Sequence, residues 1–272
     1  MFRELRFEVL GPVRGWRGET ELKLGSPQQR AVLAMLLLAR GRQVPLDALI
    51  DGLWRDRVPR SAAGTVHTYV SRLRQVLVLA PGQPGEMIES IGDGYALRTG
   101  PVVLDLDVFE ERLSAARGAR HPREAARLLH DALGLWHGVA LAGIPGPYAD
   151  SRRVPLAELN LAVTEEKLAA DISLGDHAAA IAELRGLLAE HPFREGLSEL
   201  LMLALYKSGR QAEALGVFDT VRRRLSGDLG IAPGPSLQVM HQRVLQADPR
   251  LMEMADSGPL RLVGAVTRPM VA

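Results

Sequence analysis

Cysteine is absent from the 272 residues. That excludes a disulfide framework, a thiol nucleophile and any zinc or iron–sulfur centre built on thiolates. Aromatic side chains are only 4% of the chain, so Leu, Ala and Val must fill the core. No apolar run reaches the roughly 18–20 residues of a membrane span. Met1–Leu10 is interrupted by Arg3, Glu4, Arg6 and Glu8 and contains no signal-peptide core. These absences predict a cytoplasmic protein. A phosphate-binding loop with a following Lys-Ser/Thr is also missing, and Gly11-Pro12 and Gly92-Asp93-Gly94 are too short for a dinucleotide fingerprint. The histidines, His67, His121, His130, His137, His177, His191 and His241, are scattered. His130 and His137 could share a helix face, but no carboxylate pair completes a metal site there. No catalytic set, metal or cofactor is expected, and the chain is not expected to be an enzyme.

What is present is a globular composition, 47% hydrophobic and 24% charged, in a length suited to one large or two ordinary domains. The formal net charge of +1 hides an asymmetry: residues 1–104 sum to +4 and residues 105–272 to −3. A basic first part hints at an anionic partner.

The pattern begins as strands. Leu5–Leu10 alternates apolar and polar residues, Gly11-Pro12 breaks it, and Val13–Trp16 and Glu21–Leu24 continue a small antiparallel sheet. Ser26-Pro27-Gln28-Gln29 is a helix start, with Ser at the N-cap and Pro at the first helical position. The apolar helix Arg30–Leu38 follows. Pro45-Leu46-Asp47 opens a second helix, with Leu46, Leu49, Ile50, Leu53 and Trp54 on one face. Ser61 is expected to cap a third helix reaching about Leu79. After a polar loop over Pro81–Glu86, the strands Met87–Ile91 and Tyr95–Arg98 flank Gly92-Asp93-Gly94, a hairpin signal. Sheet, three helices and hairpin spell a winged helix-turn-helix over residues 1–100, and the leading sheet resembles the OmpR/PhoB-type subclass.

From Asp105 the chain reads as helices, with candidates at 107–117, 122–136, 154–173, 176–190, 193–207, 210–225 and 235–247. N-capping accounts for Asp107. Offset by 34 residues, Gly175 matches Gly209, Ala178 matches Ala212, Ala180 matches Ala214, Ile181 matches Leu215 and Leu184 matches Phe218. That period, with Gly in the turn and small residues opening the next helix, is tetratricopeptide-like. The fold class expected is mainly α: a winged helix with a small antiparallel sheet and a wing hairpin, then an all-α repeat domain over 105–250. Residues 251–272 form a non-periodic tail, read as a linker, a loosely ordered end or a strand packed on a neighbour.

The third helix is the informative element. At about 100° per residue, Val66, Val70, Leu73 and Leu77 form one stripe with Tyr69 beside it. The opposite face contains Gly64, Thr68, Ser71, Arg72 and Gln75, with His67 and Arg74 on its flanks and no acidic side chain. Arg can fork onto guanine, Gln onto adenine, and short hydroxyls suit either. Arg55, Arg57 and Arg60 precede the helix, where phosphates would lie if it entered a major groove. A solvated face with ordinary exposed arginines is the plain alternative; the element order around it favours DNA. The hairpin tip is less suited, because Asp93 opposes phosphate and Arg98 is the nearby cation; Tyr95 is expected to pack inward. The Ser26–Gln29 turn could donate backbone N–H groups to a phosphate or be a simple cap. The candidate DNA-facing set is Arg55, Arg57, Arg60, Thr65, His67, Thr68, Ser71, Arg72, Arg74, Gln75 and Arg98.

Several motifs in order carry a family resemblance. They include Leu5-Arg6-Phe7-x-Val9-Leu10-Gly11-Pro12-Val13, the run Leu24–Leu38, Leu49-Ile50-Asp51-x-Leu53-Trp54, Thr68–Arg74, Gly92-x-Gly94-Tyr95-x-Leu97 and Asp105-Leu106-Asp107-x-Phe109. Gly209–Leu215 and Leu229-Gly230-Ile231-x-Pro233-Gly234-Pro235 extend them. Over about residues 4–250 the chain resembles the Streptomyces antibiotic regulatory protein family, whose second part is a bacterial transcriptional activator domain. The resemblance implies a DNA-binding activator of secondary-metabolite gene clusters in actinobacteria. It would bind double-stranded promoter DNA at direct repeats near the −35 element, two protomers head to tail. It would recruit RNA polymerase through sigma factor region 4 and other subunits, and it would lie with the nucleoid. Asp93 departs from a basic wing. The nucleotide-binding ATPase that follows in large members is absent from this sequence. The alternative is a helical-repeat module for a protein or small ligand, without sequence-specific DNA binding.

Overall fold

The computed structural model describes residues 5–55, 57–78, 87–98 and 102–253. The expected loop Pro81–Glu86, the helix end at Leu79 and residues 254–272 of the expected tail lie outside them. The chain divides into two compact units, 1–113 with 131–161, and 114–130 with 162–272. The first unit includes residues on both sides of position 100.

In that unit, strands β1 (Leu5–Glu8) and β2 (Arg14–Arg17) pair antiparallel, Arg6 opposite Trp16, and β3 (Thr20–Glu21) extends β2. Leu5 and Phe7 point inward, as period-2 alternation requires. Strand β7 (Val102–Leu104), unread in the sequence, pairs parallel to β1 and completes the order β3-β2-β1-β7. Asp105 then begins helix α4 (Asp105–Gly118) and is buried. Its carboxylate accepts the N–H groups of Val9 and Leu10 at 2.9 Å and of Leu106 at 2.8 Å. Burial pushes this carboxyl up to about 6, although those three backbone hydrogen bonds pull the other way. Leu10 and Val9 carbonyls accept the N–H groups of His137 and Leu141, both at 2.9 Å. Residues beyond 104 thus complete the hydrogen bonding of the N-terminal strand. His137 lies past the end of α5 (Pro122–Leu133), so it does not share a helix face with His130.

Helix α1 (Pro27–Leu38) starts as expected: the Ser26 hydroxyl accepts from the Gln29 N–H at 3.2 Å. Helices α2 (Leu46–Trp54) and α3 (Ala62–Val76) pack with it. Ser61 makes no side-chain cap; instead its carbonyl takes the Thr65 N–H at 2.9 Å. The C-terminal end of α3 is held by Arg17, which donates to the carbonyls of Val76 (3.0 Å) and Val78 (2.8 Å), a cation at the negative end of the helix. A second sheet has the order β4-β6-β5, from Val44–Pro45, Gly94–Leu97 and Ile88–Ile91. Gly94 is required there: a Cβ would stand 2.2 Å from the Val44 carbonyl oxygen.

Helix α6 (Pro147–Leu174) begins seven residues earlier than the sequence suggested, with Pro155 inside it. Arg153 explains this: it reaches back to the carbonyls of Leu141 (2.9 Å) and Ile144 and pairs with Asp150 at 2.5 Å. These contacts offset an interior proline, which costs about 3 kcal/mol.

The second unit is helical. It comprises α7 (His177–Glu190), α8 (Glu195–Lys207), α9 (Gln211–Arg224), a π turn over Leu225–Leu229, α10 (Pro235–Leu245) and α11 (Arg250–Glu253). Helices α4, α5 and α6 divide between the units at residues 113/114, 130/131 and 161/162. The 34-residue repeat is real at the level of the backbone. Gly175 (φ +97°) and Gly209 (φ +75°) both take left-handed turns. Asp176 N–H reaches Asp171 O at 3.0 Å, and 34 residues on Arg210 N–H reaches Leu205 O at 2.9 Å. Both are glycine-terminated helix ends of the same design. Ala180 and Ala214 are buried, as are Leu184 and Phe218. No helix among the described residues is long and apolar enough to cross a membrane.

Candidate nucleic-acid interface

Helix α3 divides cleanly. Val66, Val70, Leu73 and Leu77 are at most 1% exposed, and Ala62 joins them. Gly64, Thr68, Ser71, Arg72 and Gln75 are all exposed. The inner stripe anchors the helix by hydrophobic burial; the outer face remains open and free of carboxylates. Tyr69, between the two, donates its hydroxyl to Gln28 Oε1 at 2.7 Å and so ties α3 to the first turn of α1. The partners of this pair are 41 residues apart, beyond the reach of local sequence patterns.

The hydroxyls are partly committed. Thr65 Oγ1 donates to Ser61 O at 3.0 Å and Thr68 Oγ1 to Gly64 O at 2.8 Å. Bonding back to the preceding turn uses each hydroxyl proton. Toward a ligand, Thr68 therefore offers lone pairs and a methyl group. Ser71, Arg72 and Gln75 complete the exposed face.

Two members of the candidate set turn elsewhere. Arg74 is half-buried: Nε donates to Ile88 O and Nη2 to Ser90 Oγ, both at 2.9 Å. His67 Nδ1 lies 2.6 Å from the Tyr95 hydroxyl oxygen. Both reach the β5–β6 hairpin. Tyr95 is buried, as expected of it. At the hairpin tip, Asp93 Oδ1 accepts from Gln43 Nε2 at 2.9 Å and its carbonyl from Leu46 N–H at 3.1 Å. The acidic tip is thus engaged within the protein. Arg98 is exposed and pairs with Glu89 at 3.1 Å.

Before α3, Arg55, Arg57 and Arg60 are exposed. Arg55 ends α2 with φ +50° and ψ −104°, a conformation that costs a side-chain-bearing residue of the order of 1–3 kcal/mol. Asp56 lies outside the described residues. Among the described residues no group of three or more His, Asp or Glu is arranged to hold a metal ion.

Residues 104–245 match the bacterial transcriptional activator domain, and residues 19–97 match the C-terminal domain of transcriptional regulatory proteins. The regulatory protein DnrI of Streptomyces peucetius is 32% identical, over 90% of this chain and 93% of DnrI. The chain belongs to the Streptomyces antibiotic regulatory protein family. As a member of that family it is also 51% identical to the regulatory protein AfsR of Streptomyces coelicolor, over 92% of its length. It spans only about a quarter of AfsR, 25% of that protein. The structure of EmbR of Mycobacterium tuberculosis, solved in complex with a low-affinity phosphopeptide, superposes with a TM-score of 0.85. That match has 35% identity and covers 94% of this family member and 69% of EmbR.

Proposed function

We propose that this protein is a sequence-specific DNA-binding transcriptional activator of secondary-metabolite biosynthesis genes, and that it has no enzymatic activity. The observation that supports this best is the outer face of α3, where Thr68, Ser71, Arg72 and Gln75 stand exposed without a carboxylate among them. In a major groove, an arginine forks onto guanine O6 and N7 and a glutamine onto adenine N6 and N7. Arg55, Arg57 and Arg60, exposed before that helix, would meet phosphates, with Arg98 at the end of the wing. In this reading residues 1–100 bind direct repeats near the −35 element as side-by-side protomers. Residues 105–250 act with them in recruiting RNA polymerase through sigma factor region 4 and other subunits, and the protein works at the nucleoid.

The test is selection of bound fragments from genomic DNA, followed by footprinting across a salt series. Enrichment of a repeated motif is expected, with log affinity falling linearly against log salt as counterions are released. Arg72→Ala should weaken discrimination at one base pair by between roughly 5-fold and 150-fold, the worth of one bidentate contact. Equal retention of all fragments would overturn the reading and favour a helical-repeat module for a protein or ligand.

A further inference from the structure

We propose that Arg74 and His67 are wing-positioning residues, which fix the β5–β6 hairpin against α3, and that Thr68, Ser71, Arg72 and Gln75 alone among the described α3 residues read bases. This inference rests on the DNA-binding reading above and assigns work within that surface.

The geometry is specific. Two edges of the Arg74 guanidinium are committed, Nε to Ile88 O and Nη2 to Ser90 Oγ, each at 2.9 Å. Its carbon also stands 5.8 Å from the centre of the Tyr95 ring, within range for a cation over an aromatic face. His67 is seven residues earlier, two helical turns up the same flank. Its ring meets the Tyr95 ring edge-on, with Nδ1 2.6 Å from the hydroxyl. Ser90 and Tyr95 are cross-strand partners, so both side chains of α3 grip one rung of the hairpin. The far side of the tip is gripped by Gln43 and by the Leu46 N–H, both bound to Asp93.

A guanine-forking arginine presents two parallel N–H groups. In Arg74 the side-on Nε/Nη2 edge is already used by Ile88 O and Ser90 Oγ, and turning that edge to a guanine would break both bonds, which has a cost when half-buried. Arg72, two residues earlier, is exposed to solvent. The separation of recognition helix and wing is then set by α3 itself. The phosphates reached by the wing are determined by where α3 sits in its groove, at a fixed span.

The experiment uses the full chain with Arg74→Ala, Arg74→Lys and Ser90→Ala. Amide hydrogen exchange without DNA reads the clamp directly. In Arg74→Ala, amides of residues 88–97 should exchange roughly tenfold faster, while those of Val66–Leu73 keep the wild-type rate. Arg74→Lys keeps the charge but cannot bridge both acceptors, so it should match Arg74→Ala. Adding Ser90→Ala to Arg74→Ala should change little, because the two share one interaction. On selected DNA, Arg74→Ala should lower affinity on every sequence by roughly tenfold and lose protection at the flank, with base preference unchanged. Wild-type hairpin exchange together with altered preference at a single base pair would overturn the proposal. If the wild-type chain selects no sequence, the DNA reading fails while hairpin exchange still decides the clamp.

Discussion

The two compact units reach stability by different means. In the first, strands distant in sequence meet once, and single groups complete the join. Asp105 accepts the N–H groups of Val9 and Leu10, 96 and 95 residues away, and of Leu106 beside it. In the second, one local design is used twice, as the glycine turns at Gly175 and Gly209 and the buried pairs Ala180/Ala214 and Leu184/Phe218 show. Singular contacts give a defined surface at the cost of redundancy. Repeated ones spread stability over equivalent neighbours. The candidate interface sits on the singular unit, whose outer face has to be held in one arrangement.

This contrast can be broken by substitution. Leu184→Ala in the repeat unit should cost about 3 kcal/mol in chemical unfolding, the usual worth of a fully buried leucine. Asp105→Ala should cost a similar amount, about 3 kcal/mol, from stranded N–H groups and not from a cavity. The rise in exchange should be confined to 5–12 and 137–142. If exchange rose equally through residues 177–224, the effect of Asp105 would not be local to the first unit's strands.

Asp105 sharpens the comparison through pH. Its folded carboxyl is raised to about 6 from an unfolded value of 3.8. The folded protein therefore holds a proton that the unfolded chain releases, and stability from this group is full below pH 4 and lost as pH rises through 6. The difference amounts to about 3 kcal/mol. Asp105→Asn should flatten that part of the stability profile; a profile unchanged between pH 4 and 6 would show that burial does not govern the group.

Smaller effects test the repetition. Gly175→Ala and Gly209→Ala should each cost about 1 kcal/mol, since both need positive φ, and the two should add. Unequal costs would mean that the two turns are not equivalent. Arg117→Ala, which removes the exposed pair with Glu166 at 2.5 Å, should change stability by no more than about 0.5 kcal/mol.

Much of this architecture was legible in advance. The Ser26 cap, the three helices, the hairpin and the apolar stripe of α3 follow from patterns local to a few turns, and the 34-residue period follows from repetition. Strand β7 was not legible, because three residues carry no period and β1 alone stabilises them. The start of α6 was misplaced because Pro155 signals a helix beginning locally, while the tie from Arg153 to Leu141 and Ile144 is tertiary. For the candidate site, periodicity separated Thr68, Ser71, Arg72 and Gln75 from the buried stripe. It could not tell that Arg74 and His67, equally polar and on the same flanks, turn toward Ser90 and Tyr95.

Sequence alone determined which helix faces are apolar, where chain direction breaks, and that one helix face lacks acids, because burial and turn chemistry act on neighbouring residues. The tertiary fold decided which polar groups are spent inside the protein and which remain available. That choice depends on partners 14 to 96 residues away, brought within hydrogen-bond reach only after the chain has closed on itself.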